Sequence, residues 1–371
     1  MFTTFDRYLL RRYLHTFFIV LVSTYGLFVV IDGFTNVDGF QEGQQDAWAT
    51  FQWMALYYAY QSSLFFDLTG AIVSAIAVMV VFGLLQKHSE IQPILAAGVP
   101  TYRLLLPFVL GTLVVNTLLV ANQELIIPGI AHQLQAPRSL KADGGKEVEP
   151  IYDENTICID GQNISFADRR MHGAEFILPV PGIVAELTTL KASEAAYVDR
   201  AGDRPAGWLL KDVSPAHDQL NLTPHGRGVV HAIPDTNNVF VISSVTFDHL
   251  YNRNRSYRFA STPELIDRVR RPSFGNVTVR AQVLHLHSRF VTPLANIVVL
   301  FVAVPLLLRR ESRSLIGNMA GCTAVLAALY AGSQFFLYLG RANLIAPEVA
   351  VWAPVIGGGM LGAWLSGIVQ T

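Results

Sequence analysis

Six long apolar runs punctuate the chain: Tyr13–Ile31, Leu68–Leu85, Leu104–Ala121, Phe290–Leu308, Leu315–Leu339 and Val349–Val369. None contains Asp, Glu, Lys or Arg, and only His15 could carry a charge in the first. A helix rises about 1.5 Å per residue, so about 20 such residues cross a hydrocarbon core. The runs therefore predict six transmembrane helices, three before and three after a long polar stretch. Pro107 falls in the first turn of its run and Pro305 near the end of its run, where proline is tolerated.

The polar stretch has a different rhythm. Asn155–Phe166 (NTICIDGQNISF) alternates apolar and polar residues around Asp160-Gly161, which reads as a turn, and Val239–Phe247 (VFVISSVTF) alternates too. Trp208-Leu209-Leu210 is a short apolar run between turn residues, and Pro and Gly recur throughout (Pro179, Pro181, Gly182, Pro205, Pro224, Gly226, Pro234). Short strands so punctuated predict a sandwich or an open barrel. Thr262–Val269 reads as a short helix with Thr262 at its N-cap and Pro263 at its first position. The expected fold is an α-helical membrane protein of six transmembrane helices, in a 3+3 arrangement, with an inserted β domain. The expected boundaries are 1–127 for helices one to three, 128–284 for the β domain and 285–371 for helices four to six.

Composition agrees with this reading. Of 371 residues, 51% are hydrophobic and 15% charged, where a soluble domain carries about 25%. The net charge of −1 speaks against a basic face for nucleic acid. Cys158 lies in polar and Cys322 in apolar surroundings, so neither a disulfide nor a cysteine metal site is expected. Loop charge sets the orientation. Arg7, Arg11 and Arg12 precede span one, Lys87 and Arg103 flank the loop after span two, and Arg309, Arg310 and Arg313 follow span four. The segment Asp32–Leu56 has no Lys or Arg. The positive-inside rule then places both termini in the cytoplasm and the β domain outside. No small-residue cleavage site follows Val30-Ile31-Asp32, so the first span is read as a retained helix rather than a signal peptide.

The chemistry is sparse. Gly144-Gly145-Lys146-Glu147 lacks the spacing of a P-loop, and neither GxSxG nor HExxH occurs. His285 and His287 would share one face of a strand as a metal pair, but no third ligand accompanies them, and interfacial histidines are the plainer reading. The loop Lys87–Pro100 (KHSEIQPILAAGVP) is richer. Ser89 can cap a short helix, Glu90 suits its first turn and Gly98 its end, with Pro93 awkwardly placed. Such a helix is either a connector or the part through which a transporter receives force from a separate ATPase. Polar residues in or beside the spans include Asp67, Asn116, Asn122, Glu124 and Gln334. They would line an aqueous or amphiphilic cavity or, as preferred for Asn116 and Gln334, bond between helices. Arg138 and Arg289 could each meet a lipid phosphate or simply snorkel.

These residues together resemble the LptF/LptG family of permeases of the lipopolysaccharide-export ABC transporter. The resemblance runs through Asp6-Arg7-Tyr8-Leu9-Leu10-Arg11, Ser89-Glu90-Ile91, Ala96-Ala97-Gly98-Val99, and Asn122-Gln123-Glu124 with Pro128. It continues through Ser261-Thr262-Pro263-Glu264-Leu265, His287-Ser288-Arg289 with Pro293, and Pro347 with Trp352-Ala353-Pro354. It implies an inner-membrane protein with a periplasmic β-jellyroll, working with a second six-span permease, a dimer of a cytosolic ABC ATPase and a single-span periplasmic jellyroll protein. It further implies lipopolysaccharide, or a related glycolipid, as cargo, no cofactor and no catalytic residue. Ser89, Glu90, Ile91, Ala97 and Gly98 would form the ATPase-coupling site, and Arg138, Arg289, Asp67 and Glu124 the lipid-binding candidates. Some family members place lysines after span one; here Asn36-Val37-Asp38 follows, leaving Arg138 and Arg289 as the main cations. The coupling loop has Pro93 and Leu95 where the family often has a helix former and a basic residue. Two rival readings are a membrane-anchored scaffold whose outer domain recruits partners without transport, and an ATP-independent lipid carrier. The scarcity of ionisable groups in mid-span argues against ion coupling.

Overall fold

The computed structural model describes residues 4–41, 46–96, 101–136, 138, 146–166, 168–200, 205–234, 236–251, 256–270, 279–308 and 315–369. The chain forms two compact units, one comprising Met1–Thr35, Tyr58–Gly129 and Val283–Thr371, the other Asn36–Tyr57 and Ile130–Gln282. The first part of the chain runs through α1 (Thr4–Thr35), α2 (Val37–Gln41), α3 (Ala47–Lys87), α4 (Ile91–Ala96) and α5 (Thr101–Ala121). A π-helical turn at Asn122–Ile126 leads into α6 (Ile127–Gly129) and α7 (Ala131–Leu134). A single turn, α8 (Gly226–Val229), interrupts the strands of the sheet, and beyond the sheet come α9 (Phe247–Tyr251), α10 (Thr262–Arg270), α11 (Val279–Leu308), α12 (Leu315–Arg341) and α13 (Pro347–Val369). Six of these helices, α1, α3, α5 with its continuation, α11, α12 and α13, are long and apolar enough to cross a membrane.

The helices outrun the apolar runs. With 41 residues, α3 is about 60 Å long, twice a hydrocarbon core. Much of the segment expected as the loop Asp32–Leu56 is therefore helix: α1 continues to Thr35 and α3 starts at Ala47. The first 23 residues of α3 contain neither Pro nor Gly, so nothing stops the helix where the apolar run ends.

In the helical unit, Leu9, Tyr13 and Phe17 recur every fourth residue along one face of α1 and pack with Phe82 and Leu85 of α3, Leu104 and Phe108 of α5, and Leu300 and Leu307 of α11. A Cβ at Gly111 would collide with the Tyr13 ring, so the small residue lets α1 and α5 approach. Tyr13 Oη and Ser74 Oγ share a hydrogen bond of 2.7 Å in the same core. A smaller core joins Leu284 and Val291 of α11 to Ala350 and Val351 of α13.

The β unit contains β1 (Lys146–Glu147), β2 (Ile151–Tyr152), β3 (Cys158–Asp160), β4 (Asn163–Ser165), β5 (Arg170–Leu178), β6 (Thr188–Val198), β7 (Gly207–Lys211), β8 (Val230–Ala232) and β9 (Val239–Ile242). All join one antiparallel sheet in the order β1-β4-β5-β6-β7-β9-β8, with β3 also on β5 and β2 on β3. Inward residues Phe176, Leu190, Trp208, Leu210 and Val241 are fully buried, and Trp208 Nε1 donates to the Val245 carbonyl at 2.8 Å.

Three local expectations change. Asp160-Gly161 is not a reversal: β3 and β4 both pair with β5 in one unbroken register, Asp160 opposite Glu175 and Asn163 opposite His172. The break is a kink, with the Gln162 N–H still donating to the His172 carbonyl (3.1 Å) and Gly173 facing it at φ +59°. Glycine takes that conformation without the penalty a Cβ would bring. Secondly, the strand expected through Phe247 ends at Ile242, because Ser243 accepts the Val245 N–H (3.2 Å) and Phe247 opens α9. Finally, the Leu265 N–H bonds the Ser261 carbonyl at 2.8 Å, which moves the α10 cap from Thr262 to Ser261. Between β2 and β3, the fully buried Asp153 accepts the N–H groups of Asn155 (2.9 Å) and Ile157 (2.8 Å) on Oδ1 and so holds the turn.

Candidate functional site

Two polar clusters stand out in the helical unit. The first surrounds the turn between α3 and α4. Ser89 adopts the left-handed region (φ 58°), its N–H donates to the Gln86 carbonyl at 3.1 Å and the Glu90 N–H to the Leu85 carbonyl at 2.9 Å. That pair of bonds is a Schellman motif, so Ser89 ends α3 and does not cap α4. With α4 beginning at Ile91, Pro93 is its third residue, whose missing N–H would have lacked an intrahelical partner anyway. The awkwardness of Pro93 disappears with the later start. Ile91 is buried in the same core as Leu9 of α1. The expected coupling residues Ala97 and Gly98 lie outside the described residues.

Glu90, directly ahead of α4, is held by α1. Arg12 Nη1 lies 3.3 Å from both Glu90 carboxylate oxygens, and Tyr8 Oη donates to Oε2 at 3.2 Å. Arg12 also donates to Tyr8 Oη (2.5 Å), with its guanidinium 5.6 Å from the centre of that ring. The Arg12 and Glu90 side chains retain 20% and 35% of their exposure, so solvent weakens their attraction without abolishing it. Arg12 entered the sequence reading only as an orientation charge. Its spacing of four from Tyr8 was the available clue that both lie on one helix face.

The second cluster lies around the π-helical turn, which opens the backbone ladder by one residue, as the Ile127 N–H bonds to the Asn122 carbonyl shows. It presents three consecutive polar side chains to α3 and α11. Asn122 donates to the Ser63 carbonyl (3.0 Å) and accepts from Ser63 Oγ (2.6 Å). Gln123 Nε2 donates to Asp67 Oδ1 at 2.6 Å. Glu124 pairs with Arg289 at 3.4 Å, and the Arg289 side chain is only 5% exposed. The structure thus brings three of the four lipid-binding candidates, Asp67, Glu124 and Arg289, into one group, with Arg289 already engaged by a carboxylate. Nearby in sequence, Asn116 Nδ2 donates to the Pro293 carbonyl (3.0 Å) and Asn116 Oδ1 accepts from Asn296 Nδ2 (2.7 Å), the interhelical role expected of it. Gln334, expected to act similarly, is exposed on α12.

Arg138 belongs to the β unit. Its carbonyl accepts from Trp53 Nε1 at 2.9 Å, and its Nε donates to Tyr57 Oη at 3.4 Å, the guanidinium 6.0 Å from that ring. These contacts fasten the Asn36–Tyr57 segment within that unit. His285 and His287 sit on α11, not on a strand, and two residues apart on a helix they do not share a face. His287 Nε2 lies 4.0 Å from Glu348 of α13. Among the described residues no three His, Cys, Asp or Glu side chains gather as metal ligands.

A family model described as "Lipopolysaccharide export system permease LptF/LptG" matches residues 7–367, nearly the whole chain. No curated protein matches the sequence.

Proposed function

Because the chain belongs to the LptF/LptG family of lipopolysaccharide export permeases, and is thus a multi-pass inner-membrane transport protein rather than a catalyst, we propose that it is driven by a separate cytosolic ABC ATPase dimer. In this reading both termini are cytoplasmic and the β unit, as a jellyroll, is periplasmic. A second six-span permease and a single-span jellyroll protein complete the assembly. The complex lifts lipopolysaccharide, or a related glycolipid, from the outer leaflet and passes it to a periplasmic bridge of jellyrolls. The need for an engine follows from lipid physics: each buried CH₂ holds the lipid by about 0.8 kcal/mol, so a multi-chain lipid does not leave a bilayer unaided.

One observation carries the engine half of the proposal: Glu90 stands at the head of a short helix between two membrane-crossing helices, its carboxylate still partly exposed. Ser89, Glu90, Ile91, Ala97 and Gly98 form the docking site for the ATPase. On the lipid side, Arg289, already paired with Glu124, together with Asp67 and Arg138, supplies the candidate polar contacts.

The test is purification of the tagged protein from its native membrane in mild detergent, in parallel with Glu90→Lys. Co-purification of a P-loop ATPase and a second permease, with loss of the ATPase from the variant, is the expected result. A wild type that brings no ATPase would leave the β unit as a recruiting scaffold instead.

A further inference from the structure

Glu90 is held from the side of α1 by groups that a docking site does not require. One guanidinium nitrogen of Arg12 reaches both of its oxygens, and the phenol of Tyr8 reaches one of them while accepting from the same guanidinium. An ionised carboxylate offers about four acceptor positions. Arg12 and Tyr8 leave some of these open, and the Glu90 side chain is 35% exposed, so a cation from a partner can bind without displacing them. Glu90 therefore joins three elements: it follows the Schellman turn that ends α3, precedes α4, and is bonded to α1.

The burial of α1 gives this connection a mechanical meaning. Its buried residues are Asp6, Leu9, Tyr13, Phe17 and Gly33, all but Gly33 within the first half of a 32-residue helix. Farther along, Val22, Leu27 and Ile31 each show more than half of their surface, at 68, 61 and 58%. Within its own chain the helix buries its side chains chiefly at the end that meets Glu90; beyond it α1 meets α3 through Tyr25, whose Oη donates to the Tyr58 carbonyl, and Asp32, which accepts from Tyr58 Oη at 2.8 Å.

We propose that Tyr8 and Arg12 are coupling residues, which tie the foot of α1 to Glu90 so that displacement of the α3–α4 turn by the ATPase is delivered to α1 as a lever. They are positioning residues: they act through Glu90 and touch neither nucleotide nor lipid. The inference rests on the ATPase-driven reading and assigns to Arg12 the transmission of force rather than the docking of its source.

The experiment uses the complex purified from native membranes and placed in proteoliposomes containing lipopolysaccharide. Retained ATPase, ATP hydrolysed and lipid released are measured for wild type, Arg12→Gln, Arg12→Lys and Tyr8→Phe. All variants are expected to keep the ATPase and hydrolyse ATP. Lipid released per ATP is expected to fall about fivefold in Arg12→Gln, the factor for one hydrogen bond to a charged group at a part-exposed site. The fall should be smaller in Tyr8→Phe and partly reversed in Arg12→Lys. A purely structural role would lower the melting temperature and the yield of complex and leave the lipid-to-ATP ratio unchanged. An unchanged ratio in Arg12→Gln and Tyr8→Phe overturns the proposal, as does loss of the ATPase from both. Should Arg12→Gln fail to accumulate, Tyr8→Phe, which keeps the ring and removes one hydroxyl, decides alone. Failure of the parent reading is distinct, because it shows in the wild type as absence of any ATPase.

Discussion

In the β unit Phe176, Trp208 and Phe247 have no exposed surface, whereas in the helical unit Phe34, Ile316, Leu125 and Met360 show 81, 79, 73 and 71% of theirs. The β unit has outward apolar residues too, Leu187 above all, but its large side chains converge on one core. The helices instead keep apolar side chains on both inner and outer faces. Water drives the first arrangement, since each apolar group gains by leaving it. Lipid gives no such gain, so helices there meet through close approach at small residues and through polar contacts. Gly111 against Tyr13 and the bonds among Asn116, Asn296 and the Pro293 carbonyl are contacts of that kind.

The largest expected effect tests the water-driven core. Trp208→Ala removes its centre and one buried hydrogen bond, and should destabilise the β unit by about 3–5 kcal/mol. Pulse proteolysis in urea on the detergent-solubilised protein would measure it, and a loss under 1 kcal/mol would mean that Trp208 is not at the centre of the core.

Next comes a charge buried in that unit. Burial pushes the Asp153 carboxyl from 3.8 up to about 6, against the pull of the Ile157 N–H, the Ser243 side chain and the Asn155 N–H. The folded state then binds this proton more tightly than the unfolded chain. Its contribution therefore rises as pH falls from above 6 toward 4, by about 2–3 kcal/mol, and above pH 6 the charged form is carried at a cost. Asp153→Asn keeps an oxygen for the two N–H groups and cannot ionise. The stability difference between wild type and variant should change across pH 4–6; a constant difference would place the titration elsewhere.

The smallest effect lies among the helices. Asn116→Ala removes both interhelical bonds, yet should cost only about 1 kcal/mol, because in lipid the freed partners find others. Thermal melting in bicelles would report it. A loss matching that of Trp208→Ala would erase the contrast between the units.

Much of this organisation was legible. Charge-free apolar runs announced the six crossing helices, and alternation with Pro and Gly announced the inserted sheet. Less visible were features that depend on residues far apart or on backbone conformation. Glu124 and Arg289 are separated by 165 residues, and nothing in their local sequence pairs them. Asp160-Gly161 has the composition of a turn, but β5 supplies a partner along both sides of the break and keeps the strand straight enough to pair. Ser89 is a common N-cap residue, yet two backbone hydrogen bonds place it at the end of α3, in a conformation where glycine is commoner. Residue type suggested the element boundary and left its direction open.

The central claim, that this permease moves lipid with energy supplied elsewhere, is tested most directly by lipid release from proteoliposomes carrying the purified complex. Lipopolysaccharide should leave only when ATP is present and the ATPase is bound, and Glu90→Lys should abolish release along with the ATPase. Release by the permease alone, without ATPase or ATP, would contradict the account.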